Sequence, residues 1–416
     1  MQKFTFLCAD IGTSSLKTAL VSENGQVLSF YREPFKNNQK SKTSSLWISA
    51  LQISIYKIKR DLNIKDKLCC DAIAISGNGP TIVSEDGTTL LWNEDISNTE
   101  QFSDFKPVAQ KYSASLFLPR INYFKYCYPQ SFNNKKIYSG PEYLISYLTS
   151  NHVTILPESR YKDAYWNDES LEQIGADKNL FGKFVPPGFN CGSVQKEMSS
   201  FFSIKEGTPV IAGGPDFIAA MIGTNTLQEG KICDCAGSSE GINLCTSKPV
   251  SFEGLRTLPS VIPGLWNLAF LSQSSGKEFV SCKEEYEFDT NSIISYSAYI
   301  KKCFEDKYFP GFEIMKKLAE NCKTGLELLI RCAKENNLPV SDTMMITGGQ
   351  ANSDKWIQFK SDILNYKIGM TETADCELIG DAVCAAFGIN LYSSITEAAD
   401  SIVKQKRTFI PQGFTE

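Results

Sequence analysis

The chain has 416 residues, with 42 Lys and Arg against 47 Asp and Glu and a single histidine, His152. A zinc site built on two or three imidazoles is excluded, and a Ser-His-Asp nucleophile would have to use His152 itself, so acid–base work falls to Asp, Glu, Lys or Tyr. The net charge of −5 leaves no electrostatic footprint for nucleic acid, and 42% hydrophobic with 21% charged residues fits a globular protein of two domains.

The opening run MQKFTFLCAD is broken by Asp10, too early for a signal-peptide core. No stretch approaches the roughly 18 apolar residues of a membrane span, so a cytoplasmic protein without a membrane partner is expected. The 14 cysteines are scattered and contain no C-x-x-C pair; the closest are Cys69-Cys70 and Cys233/Cys235. Reduced thiols buried as small hydrophobes are expected, with a metal or iron–sulfur site as the alternative.

In chain order, FTFLCAD (4–10), LKTALVS (16–22) and VLSFYRE (27–33) predict a three-strand meander with turns at IGTSS and ENGQ. Asn24-Gly25 signals a hairpin, because a type I′ turn needs positive φ at both central residues. A helix is expected over Ser45–Asp61, with Leu46, Ala50, Leu51, Ile55 and Ile58 near one face. CDAIAIS (70–76) is an apolar strand ending in GNGP, and TIVS-EDG-TTLLW a further hairpin reaching Trp92. Strands mixed with helices from the outset point to an α/β fold. The region 93–205 is less legible, apart from a helix over 139–149, and 250–310 is aromatic and irregular. An amphipathic helix over 313–336 repeats Ile314, Leu318, Cys322, Leu329 and Ala333; a strand then runs into Gly348-Gly349, and helices follow over 353–365, opened by Ser353, and 376–388. A faint internal repeat joins ADIGTSS (9–15) to DCAGSSE (234–240), roughly half the chain apart.

Four segments carry candidate chemistry. In DIGTSSLK (10–17) a glycine and three hydroxyls, Thr13, Ser14 and Ser15, offer donors to phosphate oxygens, and Asp10 offers a carboxylate to Mg²⁺; the plain alternative is a polar hairpin. Gly237 and Ser238, in the second turn, have the same physics. In GGPDFIAAMIG (213–223), Asp216 is either a helix cap or a general base taking a proton from a hydroxyl. In MMITGGQANSDKW (344–356), Gly348 and Gly349 permit close passage of a flat ring and Asn352 a bond to a nucleotide, or the segment is an ordinary link.

Taken together and in this order, the segments resemble the FGGY family of carbohydrate kinases within the actin-like ATPase superfamily. DIGTSS and CAGSSEG are similar to its two phosphate motifs, GGPD to its catalytic-aspartate segment, ITGGQANSDKW with ELIGDAVCAAFG to its adenosine segment and following helix, and ISGNGPTIVSEDGTTLLWN (75–93) to its substrate strand. The resemblance implies two actin-like (ribonuclease H-like) lobes around a central cleft, over 1–228 for the sugar and 229–416 for the nucleotide, with the C-terminal lobe trimmed. It implies ATP and Mg²⁺ as cofactors, Asp216 as base, Asp10 on the metal, Thr13, Ser14, Ser15, Gly237 and Ser238 on the phosphates, and Gly348, Gly349 and Asn352 on the nucleoside. Asn78, Trp92, Asn93 and Glu94 fall on the sugar segment; Lys17 supports the turn. It implies a small sugar or polyol as partner and, from the habit of the family, a homodimer.

Xylulokinases usually carry a Gln-Met-His-like stretch where this chain has GNGP, many members have Asp in the place of Glu94, and Ser238 replaces the common Thr. These departures bear on the sugar rather than the phosphate machinery. A xylulose-like ketose or a polyol is the favoured substrate. The alternative is a non-catalytic sugar or nucleotide sensor on the same scaffold, and a protein-directed ATPase is a third reading. His152, in the polar stretch SNHVT, is expected in a surface turn.

Overall fold

The computed structural model describes residues 4–35, 43–96, 111–237, 240–272 and 275–413. The chain forms two compact units: Met1–Gly223 with Glu377–Ile402, and Thr224–Cys376 with Val403–Glu416. A single cut at 228/229 is therefore not how the chain divides, because residues 377–402 return to the first unit. The reason is visible at Gly380, where a Cβ would come within 2.0 Å of the Ala219 carbonyl oxygen. The helices Asp216–Gly223 and Cys376–Gly388 thus meet backbone to backbone, and only glycine permits it.

The first unit begins with the expected meander, β1 (Thr5–Ile11), β2 (Ser15–Ser22) and β3 (Val27–Pro34), all antiparallel. Its second turn is not type I′. Only Gly25 of the Asn24-Gly25 pair takes positive φ, at 80°, and the Ser22 hydroxyl holds the Asn24 side chain. After the helix Thr43–Asp61 comes β4 (Ala72–Gly77), parallel to β1 and buried at every residue, as a strand covered on both faces must be. The strands β5 (Ile82–Ser84), β6 (Thr89–Leu90) and β7 (Ile137–Tyr138) make a small side sheet, and β8 (Val153–Ile155) pairs with β9 (Lys183–Val185). β10 (Asn190–Ser193) and β11 (Pro209–Pro215) complete a six-stranded sheet in the order β10-β11-β4-β1-β2-β3. Its core joins Trp47, Leu51 and Ile55 from one helix to Leu144, Ile145 and Leu148 from Gly140–Thr149, over Leu7, Ile73 and Val210. His152 is not in a surface turn: its ring lies 4.6 Å from that of Tyr138, with Nε2 3.1 Å from the Ile137 carbonyl oxygen.

The second unit holds β12 (Ile232–Ala236), β13 (Glu240–Thr246), β14 (Arg256–Pro259), β15 (Trp266–Ser272), β16 (Thr343–Thr347), β17 (Lys367–Thr371) and β18 (Gln405–Phe409). They form a seven-stranded sheet in the order β14-β15-β13-β12-β16-β17-β18. Its series β15-β13-β12-β16-β17 matches β3-β2-β1-β4-β11 in direction: two antiparallel pairings, then two parallel ones. The faint sequence repeat is therefore a repeat of topology, with the β1–β2 and β12–β13 turns in equivalent places. The region 250–310, opaque in sequence, contains β14, β15 and the helices Ser275–Thr290 and Tyr296–Glu305. The first of these is charged along most of its length. It anchors through Phe279, whose ring meets Tyr299 and Trp356 edge-on, and through Tyr286, whose ring meets Tyr299 and Phe309. Pro310–Glu335 buries Leu318, Cys322, Leu329 and Ala333 as expected.

All 14 cysteines are free, ten of them buried. No helix among the described residues is long and apolar enough to cross a membrane.

Candidate active site

In the first unit the chemistry gathers at the carboxyl ends of the parallel strands β1, β4 and β11, where open α/β sheets place their ligands. Asp10 stands near the end of β1, opposite Lys17 of β2 and Ser76 of β4 in the strand register. The three side chains therefore share one face of the sheet. Asp10 is 2% exposed; its Oδ2 lies 3.2 Å from the Lys17 ammonium and its Oδ1 3.3 Å from the Ser76 hydroxyl. Lys17 does more than support a turn, since it also reaches Glu377 at 3.5 Å.

Asp216 follows β11 and begins the helix Asp216–Gly223. Its Oδ1 accepts the Phe217 backbone N–H at 2.8 Å. Part of its surface is exposed, but its carboxyl group is enclosed. Burial, with the Asp10 charge added, pushes its pKa up to about 6; the Phe217 N–H and Lys17 pull the other way. Two neighbouring carboxylates in different surroundings suit one to bind a cation and the other to accept a proton.

A third carboxylate, Asp381, escaped the sequence reading. Its Oδ2 accepts the Ser76 hydroxyl at 2.9 Å, while Oδ1 is buried without a partner among the described residues. Burial first, then the Asp10 charge, holds its pKa well above the usual carboxylate value. Gly213 makes room for it, because a Cβ there would come within 2.1 Å of Oδ1. The available signal was an acid inside the apolar run LIGDAVCAAFG.

At the first turn, the Gly12 N–H bonds the Ser15 carbonyl at 3.0 Å, Thr13 and Ser14 are exposed, and Ser15 is buried at the start of β2. The Thr13 hydroxyl accepts from Asn78 Nδ2 at 3.3 Å and from Trp92 Nε1 at 3.2 Å. Three residues named for two different purposes are thus one hydrogen-bonded group. Asn93 is exposed, whereas Glu94 folds back so that its Oε1 accepts the Leu91 N–H at 2.9 Å. Arg120, another residue the sequence did not single out, fixes this corner through the carbonyls of Leu91 at 2.7 Å and Glu94 at 3.1 Å.

In the second unit Gly237 is exposed at the end of β12, and Ser238 lies outside the described residues. Gly348 has φ of 93°, and a Cβ there would come within 2.6 Å of the Ala236 carbonyl oxygen. Its close approach to β12 already demands glycine. Gly349 has open space where a Cβ would stand, and Asn352 is exposed, its Nδ2 donating to the Gly349 carbonyl at 3.3 Å.

The family pattern for the N-terminal domain of FGGY carbohydrate kinases matches residues 5–223, and that for the C-terminal domain matches 313–389. The chain belongs to the FGGY family of carbohydrate kinases. A Bacillus subtilis xylulose kinase is 22% identical over 97% of this chain and 92% of its own length. An Enterobacter autoinducer-2 kinase is 20% identical over 97% and 90%. Among solved FGGY-type folds, a Lactobacillus acidophilus xylulose kinase superposes with a TM-score of 0.73 at 16% identity, covering 98% of this chain and 94% of that one. A Plasmodium falciparum glycerol kinase gives 0.73 at 14% identity, covering 99% and 94%. This FGGY chain is thereby a sugar kinase of two actin-like domains, and no comparison supports the non-catalytic sensor.

Proposed function

We propose that this kinase transfers the γ-phosphate of ATP to a hydroxyl of a ketose or polyol, with a xylulose-like sugar favoured and Asp216 as general base. The observation that carries the reading is Asp216 itself: a carboxylate at the end of β11, beside Asp10, held near neutral pH by its surroundings. Its Oδ1 is fixed by Phe217, which leaves Oδ2 to take the proton as the sugar oxygen attacks phosphorus and ADP departs.

The residues fit magnesium. Asp10 supplies a buried hard oxygen, with Lys17 at 3.2 Å and Ser76 at 3.3 Å, and Mg²⁺ takes one or two carboxylates together with substrate phosphates. A bound Mg²⁺ would neutralise charge on the transferring phosphoryl oxygens. Asp10 would hold it, Thr13, Ser14, Ser15, Gly237 and Ser238 would serve the phosphates, and Gly348, Gly349 and Asn352 the nucleoside. Asn78, Trp92, Asn93 and Glu94 would face the sugar. The Thr13 hydroxyl, gripped by Asn78 and Trp92, would tie sugar wall to phosphate turn. The reading carries with it a cytoplasmic location and a homodimer.

The test is incubation with ATP, Mg²⁺ and a panel of pentuloses, hexuloses and polyols, followed by mass spectrometry. A product heavier by one phosphate is expected from at least one ketose or polyol; none across the panel overturns the reading.

A further inference from the structure

Lys360, on the helix Asp354–Leu364, is wholly buried. Its ammonium lies 2.5 Å from Asp234 Oδ2, contacts Glu240 Oε1 and lies 3.0 Å from Gln350 Oε1. Cys322 reaches the same oxygen, with Sγ 3.9 Å from Asp234 Oδ2. Among the described residues, Asp234, Glu240 and Cys322 form the one acid–thiol group compact enough for a cation, and the cation beside its two carboxylates is this ammonium.

The three partners come from two segments. Asp234 is in β12 and Glu240 opens β13, so they flank the second hydroxyl-bearing turn; Gln350 directly follows Gly348-Gly349. Those two segments also touch through backbone, Gly348 against Ala236. Asp234 Oδ1, Glu240 Oε2 and Gln350 Nε2 are buried without partners among the described residues. A buried ion cluster with unspent polar atoms is seldom more stable than an apolar core of the same volume, and its recognised use is to fix one geometry among several.

We propose that Lys360 is a positioning residue for the nucleotide: one ammonium sets the spacing between the facing ends of β12 and β13 and the Gly348–Gln350 segment. This rests on the nucleotide reading of those segments. Gly237, at the end of β12, and the Gly348–Gly349 backbone then stand in one arrangement before ATP arrives, so that less of the binding free energy goes into ordering them.

The experiment measures MgADP binding to the full chain by calorimetry, with KM values for ATP and sugar alongside. Lys360→Met leaves buried carboxylates without their cation and is expected to unfold easily. The triple variant Asp234→Asn, Glu240→Gln, Lys360→Met removes every charge at nearly constant shape, and Gln350→Met removes only the neutral contact. Both are expected to melt close to wild type, to bind MgADP about 10-fold or more weakly in the triple variant and a few-fold more weakly in Gln350→Met, and to leave the sugar KM within about 2-fold. Undiminished MgADP binding in whichever of the two folds overturns the inference, as does a loss confined to sugar KM. A wild type that binds MgADP but phosphorylates no sugar removes the kinase reading alone; one that binds no MgADP removes both.

Discussion

Asp216 and Glu142 are both acids with raised pKa values, and they should answer to pH in different ways. Asp216 must lose its proton to act as a base. With a pKa of about 6, kcat/KM for the sugar should be flat above that value and fall about tenfold per pH unit below it. A profile with no break between pH 5 and 7 would contradict the assignment. Glu142 is 3% exposed, and burial lifts its pKa from 4.5 to about 7, even though its Oε1 accepts the Ile155 N–H at 2.7 Å. The folded state therefore keeps a proton that the unfolded chain has lost between those values. The stability this supplies is complete below about 4.5 and is lost as pH rises through about 7, up to roughly 3 kcal/mol. Urea unfolding at pH 5 and pH 8 should show that slope, and Glu142→Gln should flatten it and be the more stable form at pH 8. Asp10 and Asp216 were legible in sequence because each stands beside glycines at the end of an apolar run. Asp381 and Arg120 were not, since each meets its partners only through tertiary contact.

At the scale of elements, the close packing at Gly213 would position Asp216, the proposed base. Gly213 lies on β11, where a Cβ would meet Asp381 Oδ1 at 2.1 Å and the Ile75 carbonyl oxygen at 2.6 Å. Gly213→Ala should cost roughly 1–3 kcal/mol in urea unfolding by overpacking and, in whatever folds, lower kcat more than it raises KM, because the strain falls three residues before Asp216. A fully stable, fully active variant would show that β11 and the Cys376–Gly388 helix are not packed so closely. Most elements were readable where apolar spacing was strong: β1, β2, β4 and the helices Thr43–Asp61 and Pro310–Glu335. The Asn24-Gly25 pair marked the β2–β3 hairpin correctly; only the turn type differs, since Gly25 alone takes positive φ. Residues 250–310 stayed opaque because charged residues of Ser275–Thr290 surround its two aromatic anchors, Phe279 and Tyr286, although Tyr296–Glu305 buries Tyr299, Ile300 and Cys303 at helical spacing.

At the scale of the molecule, one topology occurs twice, and in each copy the sequence joining the first two strands carries hydroxyl residues. The two short motifs 9–15 and 234–240 were enough to suggest this, because turn chemistry survives where strand sequences diverge. The return of residues 377–402 to the first unit was not legible, since a run of small apolar residues does not say which core it joins. The single histidine is no handicap on the proposed reading: phosphoryl transfer needs positioned donors, a cation and one base, and Asp10 and Asp216 would serve the cation and the base. The most direct test of the central claim is sugar-dependent ADP production by the wild type and by Asp216→Asn across the ketose and polyol panel. The account predicts turnover that requires a sugar, falling at least about 100-fold in the variant with little change in sugar KM. ADP production that ignores the sugar, or that survives Asp216→Asn undiminished, would contradict it.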